Sequence, residues 1–186
     1  MSVAMDHTGP WTVADVLALP EDRTVRHELL GESLLVSPAP GSSHQRASFH
    51  LHTLLRTAAI TAGAPVDILE AVNVVMPSGL AVPDVIVCDS AVTESDGARM
   101  DAEAVLLAVE VVTPGSRAMD QVKPFLYAEA GIPHFWRLEL APAPMLVVHE
   151  LEDGSYTERL TALAGTTTHL KAPFPLDVDP AVLTQK

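Results

Sequence analysis

Three short runs rich in valine and isoleucine constrain this chain most: about 66–76, 82–88 and 104–112. Their length and β-branched content read as strands of a sheet. Two of them carry a carboxylate. Asp84 lies in Val82-Pro83-Asp84-Val85-Ile86-Val87, and Glu110 lies near the end of Ala104-Val105-Leu106-Leu107-Ala108-Val109-Glu110-Val111-Val112. An ionised carboxylate in a run that reads as core is costly unless a cation or hydrogen bonds compensate it. Two such carboxylates on neighbouring strands would hold a hard divalent cation. Lys123 follows in Asp120-Gln121-Val122-Lys123-Pro124. A lysine beside them would stabilise negative charge developing on a phosphate. The pattern points to metal-dependent phosphodiester cleavage.

Charge argues the other way. The net charge is -13, and three lysines and eight arginines are dispersed along 186 residues. Duplex binding rests on Lys and Arg neutralising phosphates. Any DNA binding is therefore expected to be weak, salt-sensitive, or dependent on an oligomer or partner. The length suits one domain spanning 1–186, with its core at about 25–160. No run approaches the roughly 20 apolar residues that a membrane span needs. The first residues lack a basic and then apolar leader, and Cys88 is the only cysteine. Both observations fit a cytoplasmic protein without an intrachain disulfide.

Trp11 to Leu17 reads as a short helix, with Thr12 as N-cap and Asp15 completing a capping box. Val25 to Val36 reads as a β-hairpin around Gly31-Glu32. His44 to Ala59 is an amphipathic helix: Ala47, Leu51, Leu54, Leu55 and Ala58 share a face, Ser42 or Ser43 caps it, and Gly63 lies near its end. Asp89 to Asp101 reads as an acidic loop. Asp120 to Ala130 reads as a helix ended by Gly131, and Pro124 is tolerable only in its first turn, which puts Lys123 at the helix start. His134 to Leu138 and Met145 to Leu151 read as strands, and Asp153-Gly154 as a hairpin turn leading to Tyr156 to Leu160. The order gives an α/β or α+β domain, with a mixed sheet covered by helices.

These residues resemble the PD-(D/E)XK nuclease superfamily, the restriction-endonuclease-like fold, and within it the Uma-type family. The resemblance runs through His27-Glu28-Leu29-Leu30-Gly31-Glu32, Ser37-Pro38-Ala39-Pro40, His44-Gln45, Val82-Pro83-Asp84 and Val109-Glu110-Val111-Val112-Thr113-Pro114. It continues to Asp120, Lys123, Tyr127, Gly131 and Phe135-Trp136. It implies that Asp84, Glu110 and Lys123 are catalytic. Asp84 and Glu110, with the backbone carbonyl of Val111, would bind Mg²⁺ or Mn²⁺. Two residues after Glu110 the superfamily has lysine, whereas this chain has Val112. The Uma-type family also lacks lysine there and carries it on the next helix, which matches Lys123. Glu28, His44, Asp120 and Tyr127 are accessory candidates. DNA is the substrate the resemblance implies, and a homodimer is the assembly.

Plainer readings stand beside these. Glu110 could pair with Arg117 or Arg137. Lys123 could be a surface lysine paired with Asp120 at i, i+3. Tyr127 reads as packing with a polar tip, Asp120 as a helix-start acid, His44 as an exposed helix-terminal histidine, and Glu28 as either a metal-site acid or a hairpin surface charge. His50 and His52 point different ways on one helix and cannot share a metal. Phe135 and Trp136 read as core. Two other functions stay open: a catalytically inactive binding or regulatory module, and a phosphodiesterase acting on RNA or a small substrate.

Overall fold

A computed structural model describes residues 7–93, 99–113 and 122–185. Thr12 caps α1 (Val13–Leu17): its Oγ1 accepts the Asp15 N–H, and Asp15 accepts the Thr12 N–H in return. The hairpin forms as β1 (Val25–Leu30) and β2 (Ser33–Pro38). The amphipathic helix, α2, is longer than its apolar spacing suggested, at Ser42–Ala62. Its N-cap is Gly41 rather than Ser42 or Ser43, because the extended backbone that precedes the helix ends one residue earlier. Gly63 closes it in the left-handed conformation (φ 64°), as glycine does after a helix.

The run at 66–76 is two strands, not one. β3 (Val66–Glu70) and β4 (Asn73–Met76) are separated at Ala71, whose φ is 53°. The turn moves the chain from one sheet to another. β5 (Gly79–Ala81) follows in the second sheet, and β6 (Val85–Asp89) returns to the first. Next come β7 (Arg99–Asp101) and β8 (Val105–Val112). Helix α3 (Lys123–Glu129) starts at Lys123 with Pro124 in its first turn. Then follow β9 (His134–Glu139), β10 (Met145–Glu152) and β11 (Ser155–Leu163).

The smaller sheet has the order β2-β1-β5-β4-β7, and the larger β11-β10-β9-β8-β6-β3. Both are mixed, and the architecture is α+β. β8 is central and buried along nearly all of its length. That is why its sequence is almost continuously apolar instead of alternating. It pairs antiparallel with β6 and parallel with β9, and α3 lies in the crossover that a parallel neighbour requires.

One face of the larger sheet packs against α2 through Ala47, Leu51, Leu55 and Ala59. The other packs against α3 and the smaller sheet, where Tyr127, Ile132 and Phe135 meet Val74, Met76 and Met100. Phe135 and Trp136 are both core residues. The core also runs past 160. The hairpin of β12 (Thr168–Leu170) and β13 (Leu176–Val178) places Leu170, Leu176 and Val178 against the α2 side, joined by Phe174 and Leu183. Gly79 is where the backbones come closest. Its φ is 145°, and a Cβ there would stand 2.0 Å from the Leu29 carbonyl oxygen.

Candidate active site

Asp84 stands at the seam between the sheets. The chain leaves β5 at Ala81 and enters β6 at Val85. Pro83 between them has no N–H to extend a ladder. Backbone bonds pin the crossing: Asp84 N–H donates to the Val109 carbonyl at 3.0 Å, and Ala71 N–H donates to the Asp84 carbonyl at 3.3 Å. The Asp84 side chain is 3% exposed. Its Oδ2 accepts the Val111 N–H at 2.7 Å and lies 2.9 Å from His44 Nε2. Its Oδ1 accepts from Arg26 Nη1 at 2.5 Å. Burial opposes ionisation of Asp84, but His44, Arg26 and the Val111 N–H outweigh it and hold the carboxyl below its ordinary value of 3.8.

Glu110 is on β8, 2% exposed, and Arg137, one of the two arginines considered from sequence, is not its partner. Arg137 binds Glu139 instead, and Arg117 lies outside the described residues. Both Glu110 oxygens face Lys123 Nζ, at 3.2 and 3.1 Å, and Tyr127 donates its O–H to Glu110 Oε1 at 2.5 Å. Lys123 is therefore not a surface lysine. It is 4% exposed and also binds Glu28 Oε1 at 2.9 Å. The first turn of α3 faces the sheet, which aims Lys123 and Tyr127, one turn apart, at the same carboxylate.

Glu28 is buried and bridges layers: its Oε1 also accepts the Val82 N–H at 2.8 Å. That overturns the surface-charge alternative. His44 is buried as well, against the expectation of an exposed terminus, because the helix starts at Ser42 and puts His44 on its inner face. Ser48 Oγ lies 3.5 Å from its Nδ1. Asp120 lies outside the described residues. Arg26, which the sequence reading passed over, is the direct partner of Asp84. Its signal was period two on β1: Arg26 and Glu28 share a strand face. His50 and His52 do separate, toward the Leu183 carbonyl and Glu70.

The electrostatics distinguish the two central carboxylates. Burial is the largest influence on Glu110. Lys123 opposes it, but the charges of Asp84 and Glu28 add to it, and the carboxyl is pushed up to about 8. Burial would lower Lys123, but Glu110 and Glu28 outweigh it and keep the ammonium charged. Burial and the same carboxylates hold the Tyr127 phenol protonated. One carboxylate is thus firmly ionised, and the other is poised near neutrality.

Asp84, Glu110, Val111, Lys123, Arg26 and Glu28 all line a cavity of about 300 Å³. A larger cleft of about 870 Å³ meets it across Arg26, His44 and Asp84. Among the described residues, no three His, Cys, Asp or Glu side chains are grouped so as to hold a metal ion alone. The donor chemistry nevertheless suits Mg²⁺ or Mn²⁺. Mg²⁺ takes one or two carboxylates and completes its shell with water and phosphate oxygens. Asp84 and Glu110 supply two carboxylates whose mutual repulsion a cation would relieve.

A family model described as "Uma2: Putative restriction endonuclease" matches residues 13–183. Among solved structures, the chain is similar to a "putative nuclease belonging to DUF820" from Anabaena variabilis ATCC 29413. The TM-score is 0.70 at 13% identity, over 88% of this chain and 90% of that one. At that identity the likeness shows the fold. Comparison with the curated proteins gave no match. No described helix is long and apolar enough to cross a membrane.

Proposed function

The chain belongs to the Uma2 family, and from that premise we propose that it is a divalent-metal-dependent endonuclease hydrolysing phosphodiester bonds of DNA. One observation carries the proposal. Asp84 and Glu110 open on a single cavity, joined through the Val111 N–H that Asp84 accepts, and Lys123 stands against Glu110. Asp84, Glu110 and the Val111 carbonyl would hold Mg²⁺ or Mn²⁺, which when bound supplies Lewis acidity toward the phosphate.

The chain's own residues do the rest. Lys123 keeps its charge at Nζ in a buried position, where it counts most against negative charge developing on the phosphate. Glu28 holds that ammonium at 2.9 Å, so its position does not depend on Glu110 alone. Tyr127 fixes the rotamer of Glu110 through the 2.5 Å bond to Oε1. His44 and the Val111 N–H keep Asp84 ionised and oriented.

The test is nicking of supercoiled plasmid in low salt with Mg²⁺ and then Mn²⁺. Wild type is run against Asp84→Ala and Glu110→Gln purified identically. Cleavage by wild type alone is expected. Equal cleavage by all three would refute the assignment.

One observation favours a second reading, a non-catalytic binding module. Arg26, His44, Lys123 and Tyr127 already satisfy both carboxylates. Calorimetry with millimolar Mg²⁺ or Mn²⁺ separates the two, since the module would release no binding heat. The net charge of -13 also makes RNA and small nucleotides the substrates to try beside DNA.

A further inference from the structure

We propose that Arg26 is a positioning residue that exchanges partners: it holds Asp84 while the site is empty and turns to a substrate phosphate when a divalent cation takes that carboxylate. The proposal rests on the metal-dependent reading above and adds a residue to it.

The three donors on Asp84 are not equivalent. The Val111 N–H is backbone on the central strand and cannot leave. His44 is buried in the first turn of α2, with Ser48 against its other ring nitrogen. Of the two side-chain donors Arg26 is the more exposed, 19% against 9% for His44. Among the described residues it also holds an oxygen by itself. Oδ2 faces both His44 and Val111, whereas Oδ1 has Arg26 as its partner among the described residues. Oδ1 is thus the oxygen whose protein partner can be exchanged, and Asp84 would have it to offer a cation once Arg26 turns away. A guanidinium and a dication on one carboxylate oxygen repel each other.

Arg26 has somewhere to go. It lines both the 300 Å³ cavity and the 870 Å³ cleft, so a small side-chain rotation moves its charge from one to the other. A planar guanidinium binds phosphate through two parallel N–H bonds, which a lysine cannot do. β1 then bears on both the arginine and the lysine of the site. Arg26 neutralises Asp84, and Glu28, two residues on and on the same face, holds Lys123 beside Glu110. In the empty state this also limits the cost of three buried carboxylates.

The test is Mn²⁺ titration calorimetry of wild type, Arg26→Gln and Arg26→Lys. A second titration with thymidine 3′,5′-bisphosphate follows in the presence of Mn²⁺. Losing a charge-assisted competitor should tighten Mn²⁺ binding by Arg26→Gln about tenfold, while bisphosphate binding weakens at least as much. Arg26→Lys should bind Mn²⁺ close to wild type yet lose bisphosphate affinity, because the fork is gone. Arg26→Lys also serves if Arg26→Gln fails to fold by circular dichroism. Wild type that binds Mn²⁺ no more weakly than Arg26→Gln, with bisphosphate affinity unchanged in either variant, overturns the partner exchange and leaves the metal site standing. Wild type that binds no Mn²⁺ at millimolar concentration overturns both.

Discussion

Replacing Lys123 with methionine tests whether the site is held together by charge. The straight apolar chain fills nearly the same space, so little cavity term enters. What is lost is the ammonium 2.9 Å from Glu28 and 3.1 Å from Glu110, both buried. Removing one partner of a buried ion pair costs about 3–5 kcal/mol, because the other charge is left without compensation. Against a total stability of about 5–15 kcal/mol, that loss is severe. Glu110→Gln alone leaves Lys123 paired with Glu28 and should cost about 1–3 kcal/mol. The double variant removes one of the two carboxylates that Lys123 compensates and leaves Glu28 as the other. Its cost should therefore fall short of the sum of the singles by about 1–3 kcal/mol. Urea denaturation of the four proteins at pH 7.5 gives the cycle. Two results would refute the reasoning: single effects that add within about 0.5 kcal/mol, or a Lys123→Met loss below about 1 kcal/mol.

Two further outcomes concern the frame of the site. Gly79→Ala should lower the melting temperature sharply and loosen β1, since the new Cβ would meet the Leu29 carbonyl oxygen at 2.0 Å. Gly154→Ala, with positive φ but nothing within 4 Å, should cost only about 1 kcal/mol, and equal melting of the two would contradict the steric argument. Two half-buried histidines should each contribute a loss of stability as pH drops below neutrality, opposite in sign to the contribution of the raised Glu110 carboxyl. Burial lowers His134 and His149 from 6.5, with Glu150 opposing at His134 and Arg137 adding at His149, while backbone bonds and Glu158 oppose there. The unfolded chain binds more protons in that window. Their contribution is thus complete above about 6.5 and is lost as pH falls through the folded values. The double variant His134→Gln, His149→Gln should shift the pH slope of the urea midpoint between pH 7 and 5 toward greater relative stability at low pH, and an unchanged slope would sink the assignment.

Local signals were legible where one residue decides the geometry. Thr12 with Asp15, Gly31-Glu32, Pro124 and Asp153-Gly154 each fix a helix start or a turn through their own chemistry, and each element formed there. The apolar run at 66–76 misled because valines describe a strand without saying which sheet it joins. The break at Ala71 has no glycine or proline to mark it. His44 misled for a related reason. The buried positions 44, 48, 51 and 55 do keep helical spacing, but a histidine and a serine at its start hide the stripe from a hydrophobicity reading. Glu28 and Arg26 needed a partner to be understood, and their partners lie 54 and 58 residues away, at Val82 and Asp84. The C-terminal hairpin was silent because its strands are three residues each.

That hairpin sets an order on biosynthesis. The α2 face of the larger sheet is closed by Leu170, Phe174, Leu176, Val178 and Leu183. A nascent chain synthesised as far as β11 would carry every strand of both sheets and all six buried polar groups of the site, from Glu28 to Lys123, yet still expose apolar surface beside Leu51 and Leu55. Emergence of the β12–β13 hairpin and Leu183, rather than formation of the strands that carry Asp84 and Glu110, would be the event that covers that surface. Until then, a chaperone rather than substrate is the partner its surface invites.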